Sequence, residues 1–357
     1  MAQSVQTVEI RAGRGYTVSI GPGLLGTCGE ALAGTVGRCR MAVAADSTVA
    51  PLYLESVTES LYRAGFEPCA YVFPAGERSK NLRTLSELLE FMASRHLTRT
   101  DCVAALGGGV TGDLAGFAAG VYLRGVRFVQ LPTTLLAAVD SSVGGKTAVD
   151  LEAGKNLAGV FLQPSAVLCD TDCLETLPPA AFADGAAEAV KTGVLAGEPL
   201  FSQLAGGIPE PEALPGIIAR CVAFKGSVVE ADEFDTGVRR TLNLGHTAAH
   251  AIEACSGYAV SHGRAVAMGT AIIARASEKL GWCAAPCAER ITAALAKNGL
   301  PVRTEFSPER LARAAQSDKK RAGGEITLVI PEDIGRCALK TIPVGELEAV
   351  FAAGEER

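Results

Sequence analysis

Leu106-Gly107-Gly108-Gly109-Val110-Thr111-Gly112-Asp113 is the stretch whose reading decides the fold. It follows residues 102–106, a short run of small and apolar residues that reads as a buried strand, and it opens a segment of helical length. Glycines at such a turn let the backbone approach a pyrophosphate. The helix start behind them offers free N–H groups and a dipole that favours an anion. The string matches the dinucleotide pattern G-x-G-x-x-G, but it belongs to the fourth or fifth strand unit, and no isolated acid follows at the end of a next strand. A dinucleotide bound differently from the usual fingerprint is expected; a tight strand-to-helix turn is the competing account.

Outward from this turn, runs rich in small or β-branched residues recur at 41–45, 70–73 and 126–131. Between them, residues 52–61 and 82–92 space their apolar positions by three and four. This alternation predicts an α/β N-terminal domain with a mainly parallel, Rossmann-like sheet and ligands at the carboxyl ends of its strands. Residues 7–11 and 16–20, joined by a turn at Gly13 and Gly15, read as an edge hairpin. The texture changes near 172–179. Beyond it, 180–195, 214–230, 247–254, 265–280 and 284–297 are Ala-rich and helical in period. A late hairpin, 325–330 with 336–342, precedes a terminal helix. The expected division is 1–174, an α/β domain, and 175–357, a mainly α-helical domain.

With 357 residues, 48% hydrophobic and 20% charged, the chain suits two packed domains rather than a disordered segment. A net charge of −6 gives no general basic field, so nucleic acid is not expected as a partner, although a local basic pocket for a small anion is compatible with it. No secretory pattern opens the chain and no run of about 18 apolar residues occurs, so no membrane is expected either. The eleven cysteines lack a disulfide rhythm. The CxxxC pairs Cys169/Cys173 and Cys283/Cys287 join no second pair as a structural zinc site would. Reduced, buried thiols and a cytoplasmic setting are expected.

Gly144-Gly145-Lys146-Thr147 resembles a nucleotide-triphosphatase loop, but Asp140 stands where that pattern needs a glycine. What remains is a flexible glycine pair carrying Lys146, with Lys155 and Asn156 a turn or two on. Three of four histidines, His246, His250 and His262, fall within seventeen residues. His246 and His250 share a face if the segment is helical. Imidazoles with one carboxylate make a catalytic divalent-metal site with an open position. Glu188 is a candidate carboxylate in an apolar helix, with Lys191 at i, i+3; a surface ion pair explains that spacing equally well. Lys225, Arg239 and the Lys319-Lys320 pair read as solvated charge by default, but Arg239 and Asn243 stand just ahead of His246. His96, alone before a turn, reads as a surface residue.

Together, PAGERSKNL, GGGVTGDLAGFAAGVYLRGV, QLPTTLLAAVDSSVGGKTAVD, GKNLAGVFLQP, AAEAVKTG, RRTLNLGHTAAHAIE and SHGRAVAMG resemble the 3-dehydroquinate synthases in order and spacing, strongly over about 70–330. The resemblance implies an NAD-binding α/β domain, a helical metal-binding domain and a homodimer. It implies Glu188, His246 and His262 as ligands for zinc or cobalt, with His250 assigned to substrate, against the i, i+4 spacing. NAD would contact Asp46, Glu77, Lys80, Gly109, Val110, Thr111, Gly112, Asp113, Thr133 and Thr134, with Lys146 and Lys155 at its edge. A sugar-acid phosphate substrate would meet Asp140, Lys146, Lys155, Asn156, Lys191, Lys225, Arg239, Asn243 and His250, and Arg124 would reach a neighbouring subunit's site. Three departures stand out: Ala249 replaces the family's glycine, Arg264 replaces its acid, and AEVIKxG appears as AEAVKTG.

The implied reaction converts 3-deoxy-D-arabino-heptulosonate 7-phosphate into 3-dehydroquinate and phosphate, with transient oxidation by NAD and no net redox. The rivals are a related cyclase acting on sedoheptulose 7-phosphate or an amino analogue, an iron-dependent alcohol or glycerol dehydrogenase, and a non-catalytic dinucleotide-binding regulator.

Overall fold

A computed structural model describes residues 5–208, 211–316, 321–322 and 324–355; the Lys319-Lys320 pair lies outside them. The chain forms two compact units, Met1–Pro178 with Lys225–Phe234, and Pro179–Phe224 with Asp235–Arg357.

The first unit contains β1 (Gln6–Ile10), β2 (Tyr16–Gly21), β3 (Arg40–Asp46), β4 (Glu67–Phe73), β5 (Cys102–Gly107), β6 (Arg127–Pro132), β7 (Lys146–Leu151), β8 (Gly154–Phe161) and β9 (Ala166–Asp170). Its helices are α1 (Cys28–Val36), α2 (Glu55–Arg63), α3 (Leu82–Ser94) and α4 (Gly109–Val121). Seven strands form one sheet in the order β1-β2-β9-β6-β5-β3-β4. Every neighbouring pair in it is parallel except the β1–β2 edge hairpin. Both faces are covered, which is why the central strands read as apolar runs rather than alternating ones. On β3, Met41, Val43 and Ala45 face the core that holds Leu32 and Leu61, while Ala42 and Ala44 face the core that holds Leu88 and Met92.

The chain runs from β3 outward to β4, then returns to the other side of β3 as β5. The strand order therefore reverses between β3 and β5, and a crevice at their carboxyl ends is the expected ligand position. Besides α1, three strands of this unit were not foreseen. β9 is a fully buried strand of five residues, too short to show a period of its own. The segment expected as a flexible glycine pair followed by helical turns is instead an antiparallel ribbon, β7 with β8. Gly144 and Gly145, at φ 100° and 70°, turn the chain directly into β7 at Lys146.

The second unit is mainly helical. It comprises α5 (Pro179–Ala196), α6 (Leu200–Ala205), the first part of α7 (Leu214–Ala231), α8 (His246–Cys255), α9 (His262–Lys279), α10 (Ala288–Lys297), α11 (Pro308–Ala315) and α12 (Leu347–Gly354). A small sheet joins β10 (Arg321–Ala322), β11 (Glu325–Asp333) and β12 (Arg336–Pro343). α9 is the buried axis and packs against α5, α8, α10 and α12. Its glycines set how closely it lies: a Cβ on Gly263 would collide with the Asp184 backbone of α5, and one on Gly269 with the Gly245 carbonyl ahead of α8. Among the described residues, no helix is long and apolar enough to cross a membrane.

Candidate active site

In the first unit, the residues expected at a dinucleotide gather at the carboxyl ends of β3, β4, β5 and β6. Asp46 closes β3, and its Oδ1 accepts the N–H groups of Thr48 and Val49 at 2.8 and 3.1 Å. The Thr111 hydroxyl stands 3.5 Å from its Oδ2, across the switch point. Gly109, Val110, Thr111, Gly112 and Asp113 form the opening of α4. Beyond β6, the Thr133 N–H donates to the Gly107 carbonyl at 3.0 Å, and the Thr134 hydroxyl accepts from the Ala137 N–H at 3.1 Å. A Cβ on Gly108 would press against the Thr134 methyl at 3.0 Å, so this turn and Thr134 approach closely.

After β4, a 3-10 turn at Glu77–Ser79 delivers Lys80, only 4% exposed. Its Nζ lies 2.6 Å from the Asp113 carboxylate and 3.9 Å from Glu77, and it donates to Asn156 Oδ1. Burial opposes the Lys80 charge, yet Asp113 and Glu77 hold its pKa above the ordinary value. Burial pushes the Asp113 carboxyl up, and Lys80 offsets only part of that. Lys155 Nζ is 3.7 Å from Glu77. Asp150, which the sequence reading did not single out, ties this network to the β7–β8 ribbon. Its Oδ1 accepts the Asn156 N–H at 2.7 Å, where Asn156 is left-handed, and its own N–H donates to the Lys80 carbonyl at 2.8 Å.

Lys225 Nζ lies 2.6 Å from Asp140 Oδ1 and donates to the Asp140 carbonyl at 2.7 Å. Lys146 is exposed at the start of β7. Arg124, also exposed, follows Leu123 in a turn where both non-glycine residues have positive φ, 69° and 49°. Such geometry is strained by roughly 1 kcal/mol or more per residue.

In the second unit, Glu188 on α5, His246 at the start of α8 and His262 at the start of α9 bring one ligand atom each to within 4.8 Å of one another. This is the only such group among the described residues, and His250 stands outside it. The i, i+4 spacing that suggested His246 with His250 is thus not the pairing the fold makes. His250 lies one turn further along α8, with its ring 5.6 Å from that of His246. Glu188 is fully buried, and its Oε1 faces His262 Nε2 at 3.2 Å and His246 Nε2 at 3.8 Å. Lys191, one turn on, is its ion-pair partner and is itself buried, so the bland reading of Glu188 and Lys191 as a surface pair does not hold.

Burial opposes the Glu188 charge, but Lys191 and His262 hold its carboxyl well below the usual carboxylate range. Burial likewise opposes a charged His262, and Glu188 and Glu253 outweigh it, raising its pKa to about 10. Neither Glu188 oxygen accepts a hydrogen bond of regular geometry, close as these groups are. Two imidazoles and an ionised carboxylate that converge without bonding one another fit a divalent cation. Arg239 is buried in the 3-10 turn Val238–Asn243 ahead of α8, where the Asn243 amide donates to the Arg240 carbonyl at 3.1 Å. Of the departures, Ala249 is buried on α8, while Arg264 is exposed and its N–H donates to Asp184.

The family model described as 3-dehydroquinate synthase N-terminal matches residues 70–184, and its C-terminal counterpart matches 185–321. This chain belongs to the 3-dehydroquinate synthase family. The 3-dehydroquinate synthase of Paracoccus denitrificans (strain Pd 1222) is 43% identical over 346 residues, covering 93% of this chain and 94% of that protein. Two solved structures with the same fold are more distant in sequence. A 2-deoxy-scyllo-inosose synthase complexed with carbaglucose-6-phosphate, NAD+ and Co2+ is 25% identical with a TM-score of 0.85, covering 97% of this chain and 99% of that one. The 2-epi-5-epi-valiolone synthase of Streptomyces hygroscopicus subsp. jinggangensis 5008, with NAD+ and Zn2+ bound, is 26% identical with a TM-score of 0.85, covering 95% and 96%. In this member of the 3-dehydroquinate synthase family, both the glycine turn after β5 and the Glu188 group fall inside the matched spans.

Proposed function

We propose that this chain is a 3-dehydroquinate synthase in action as well as in family: a carbon–oxygen lyase that converts 3-deoxy-D-arabino-heptulosonate 7-phosphate into 3-dehydroquinate and phosphate, in the shikimate route to aromatic amino acids. Family membership over nearly the whole chain carries this reading. We assign NAD binding to the first unit, in which Lys225–Phe234 join the expected 1–174, and metal binding to the second, the remainder of the expected 175–357. A homodimer in the cytoplasm completes the proposal, and the eleven cysteines, all free thiols, suit a reducing compartment.

When bound, NAD supplies a two-electron acceptor that is restored within each cycle, and zinc or cobalt at Glu188, His246 and His262 supplies Lewis acidity. The chain's own residues do the rest. The α4 N-terminus offers the Gly109, Val110 and Thr111 N–H groups to a pyrophosphate, while the Gly112 N–H closes the first helical turn on the Gly108 carbonyl, with Asp46, Glu77, Lys80, Gly112, Asp113, Thr133, Thr134 and Lys155 around the dinucleotide. Lys146, Asn156, Lys225 and Arg239 provide the cations and donors that a phosphate and a carboxylate require. Asp140, Lys191, Asn243 and His250 orient the substrate hydroxyls, and Arg124 serves a neighbouring subunit.

The deciding experiment supplies the heptulosonate phosphate with NAD at catalytic concentration and follows phosphate, 3-dehydroquinate and NADH together. Many phosphates should be released per NAD with no accumulation of NADH. Stoichiometric NADH from a simple alcohol, without phosphate release, would overturn the reading in favour of a dehydrogenase. Sedoheptulose 7-phosphate in a parallel assay should not turn over.

A further inference from the structure

α8 begins at His246 and carries Glu253 seven residues later. Seven residues are close to two full turns, so both side chains leave the same face of the helix. Glu253 is 3% exposed in an otherwise apolar stretch, an unusual place for a carboxylate without a task. Its Oε1 lies 3.6 Å from His262 Nδ1, while the opposite ring nitrogen, Nε2, lies 3.2 Å from Glu188. His246 is held in the same sense, with its Nδ1 3.1 Å from the Leu244 carbonyl and its Nε2 toward Glu188. Each imidazole therefore has an oxygen acceptor behind Nδ1 and presents Nε2 to the candidate metal group.

We propose that Glu253 is a positioning residue for that group: its carboxylate takes the His262 Nδ1–H, fixes the tautomer that leaves the Nε2 lone pair free, and raises the donor strength of the ring. The 3.6 Å separation is a few tenths of an ångström beyond a hydrogen bond, and a small ring rotation closes it. An acid behind a ligating imidazole does such work generally, and its loss costs about 10–100-fold in metal affinity. The inference rests on Glu188, His246 and His262 binding a divalent ion, and the experiment separates the two ideas.

Zinc affinity is measured by competition with a chromophoric chelator, and the visible absorption of the cobalt-loaded protein is recorded, for wild type, Glu253→Gln and Glu253→Ala. Glu253→Gln keeps the shape and is expected to weaken zinc binding at least tenfold and to shift the cobalt bands. The circular dichroism of its metal-free form should stay unchanged. Affinity within twofold of wild type with an unaltered cobalt spectrum overturns the proposal. If wild type itself binds neither metal, the metal reading fails first. Protein labelled with 15N-histidine provides a test independent of any variant folding. In the zinc-loaded wild type, His262 should be protonated at Nδ1 alone, and a proton on Nε2 instead overturns the assignment.

Discussion

Lys80 Nζ lies 2.6 Å from the Asp113 carboxylate, so a buried ion pair joins the turn after β4 to the opening of α4. Removing one member of such a pair leaves the other charged and desolvated. Asp113→Asn should cost roughly 3 kcal/mol, the low end for a buried pair because Asp113 is partly exposed. Urea unfolding reads this directly, and the same variant should bind NAD more weakly. Wild-type stability with wild-type NAD affinity would show that Glu77 and Asn156 suffice to hold Lys80.

Chelation should abolish turnover, and zinc or cobalt should restore it. His246→Ala and His262→Ala should each lose most bound metal through gel filtration, as read by atomic emission. His250→Ala should retain metal and instead raise KM for the heptulosonate phosphate. A metal-free His250→Ala beside a metal-replete His262→Ala would reverse the ligand assignment.

Metal binding should also release a proton. His262 has a pKa of about 10 in the metal-free protein, so it is cationic at pH 8 and must lose a proton to ligate through Nε2. Affinity should then rise with pH by up to roughly tenfold per unit below that pKa, and fall as pH falls. Calorimetric titration of cobalt at pH 8, in two buffers with different heats of ionisation, should differ by about one proton. Identical heats would sink the prediction.

Gly263→Ala and Gly34→Ala make a matched pair on two helices. The first places a methyl group against the Asp184 backbone, while the second points into open space. Gly263→Ala should lose about 1–3 kcal/mol and bind metal less tightly, because Asp184 also holds the Ser261 hydroxyl at 2.6 Å beside His262. Gly34→Ala should gain roughly 0.5 kcal/mol through helix propensity. Thermal melts with and without zinc check both.

Lys146→Ala tests the substrate cluster. It should cut turnover or substrate affinity by orders of magnitude if bound substrate buries this otherwise exposed lysine, since truncating one member of a buried charge pair costs about 2–5 kcal/mol. Metal content should stay as in wild type. Normal turnover would remove Lys146 from the phosphate-binding set.

The parallel sheet was legible because strands buried on both faces show apolar runs and the helices between them keep a period of 3.6. β9 and the β7–β8 ribbon were not. A five-residue buried run has no periodicity to measure, and KTAVDL beside GKNLAGVF shows pairing only when strands meet. Glu253 stood in the quoted histidine motif unremarked, because an acid on a helix reads as solvated until its burial is seen.

By itself, then, the sequence determined the α/β class, the helical second half, the glycine turn and the family, all of which depend on local periodicity or on ordered motifs. Which imidazoles converge is another matter. His246 and His250 are neighbours on one helix, and spacing alone joins them. The grouping of His246 with His262 and Glu188 is settled by three helices meeting: Gly263 and Gly269 let α9 press against α5 and the entry to α8. Directional convergence of ligand atoms is a property of packed backbones: helical spacing does not contain it, and the sequence reached this set only through the resemblance of its ordered motifs to a family.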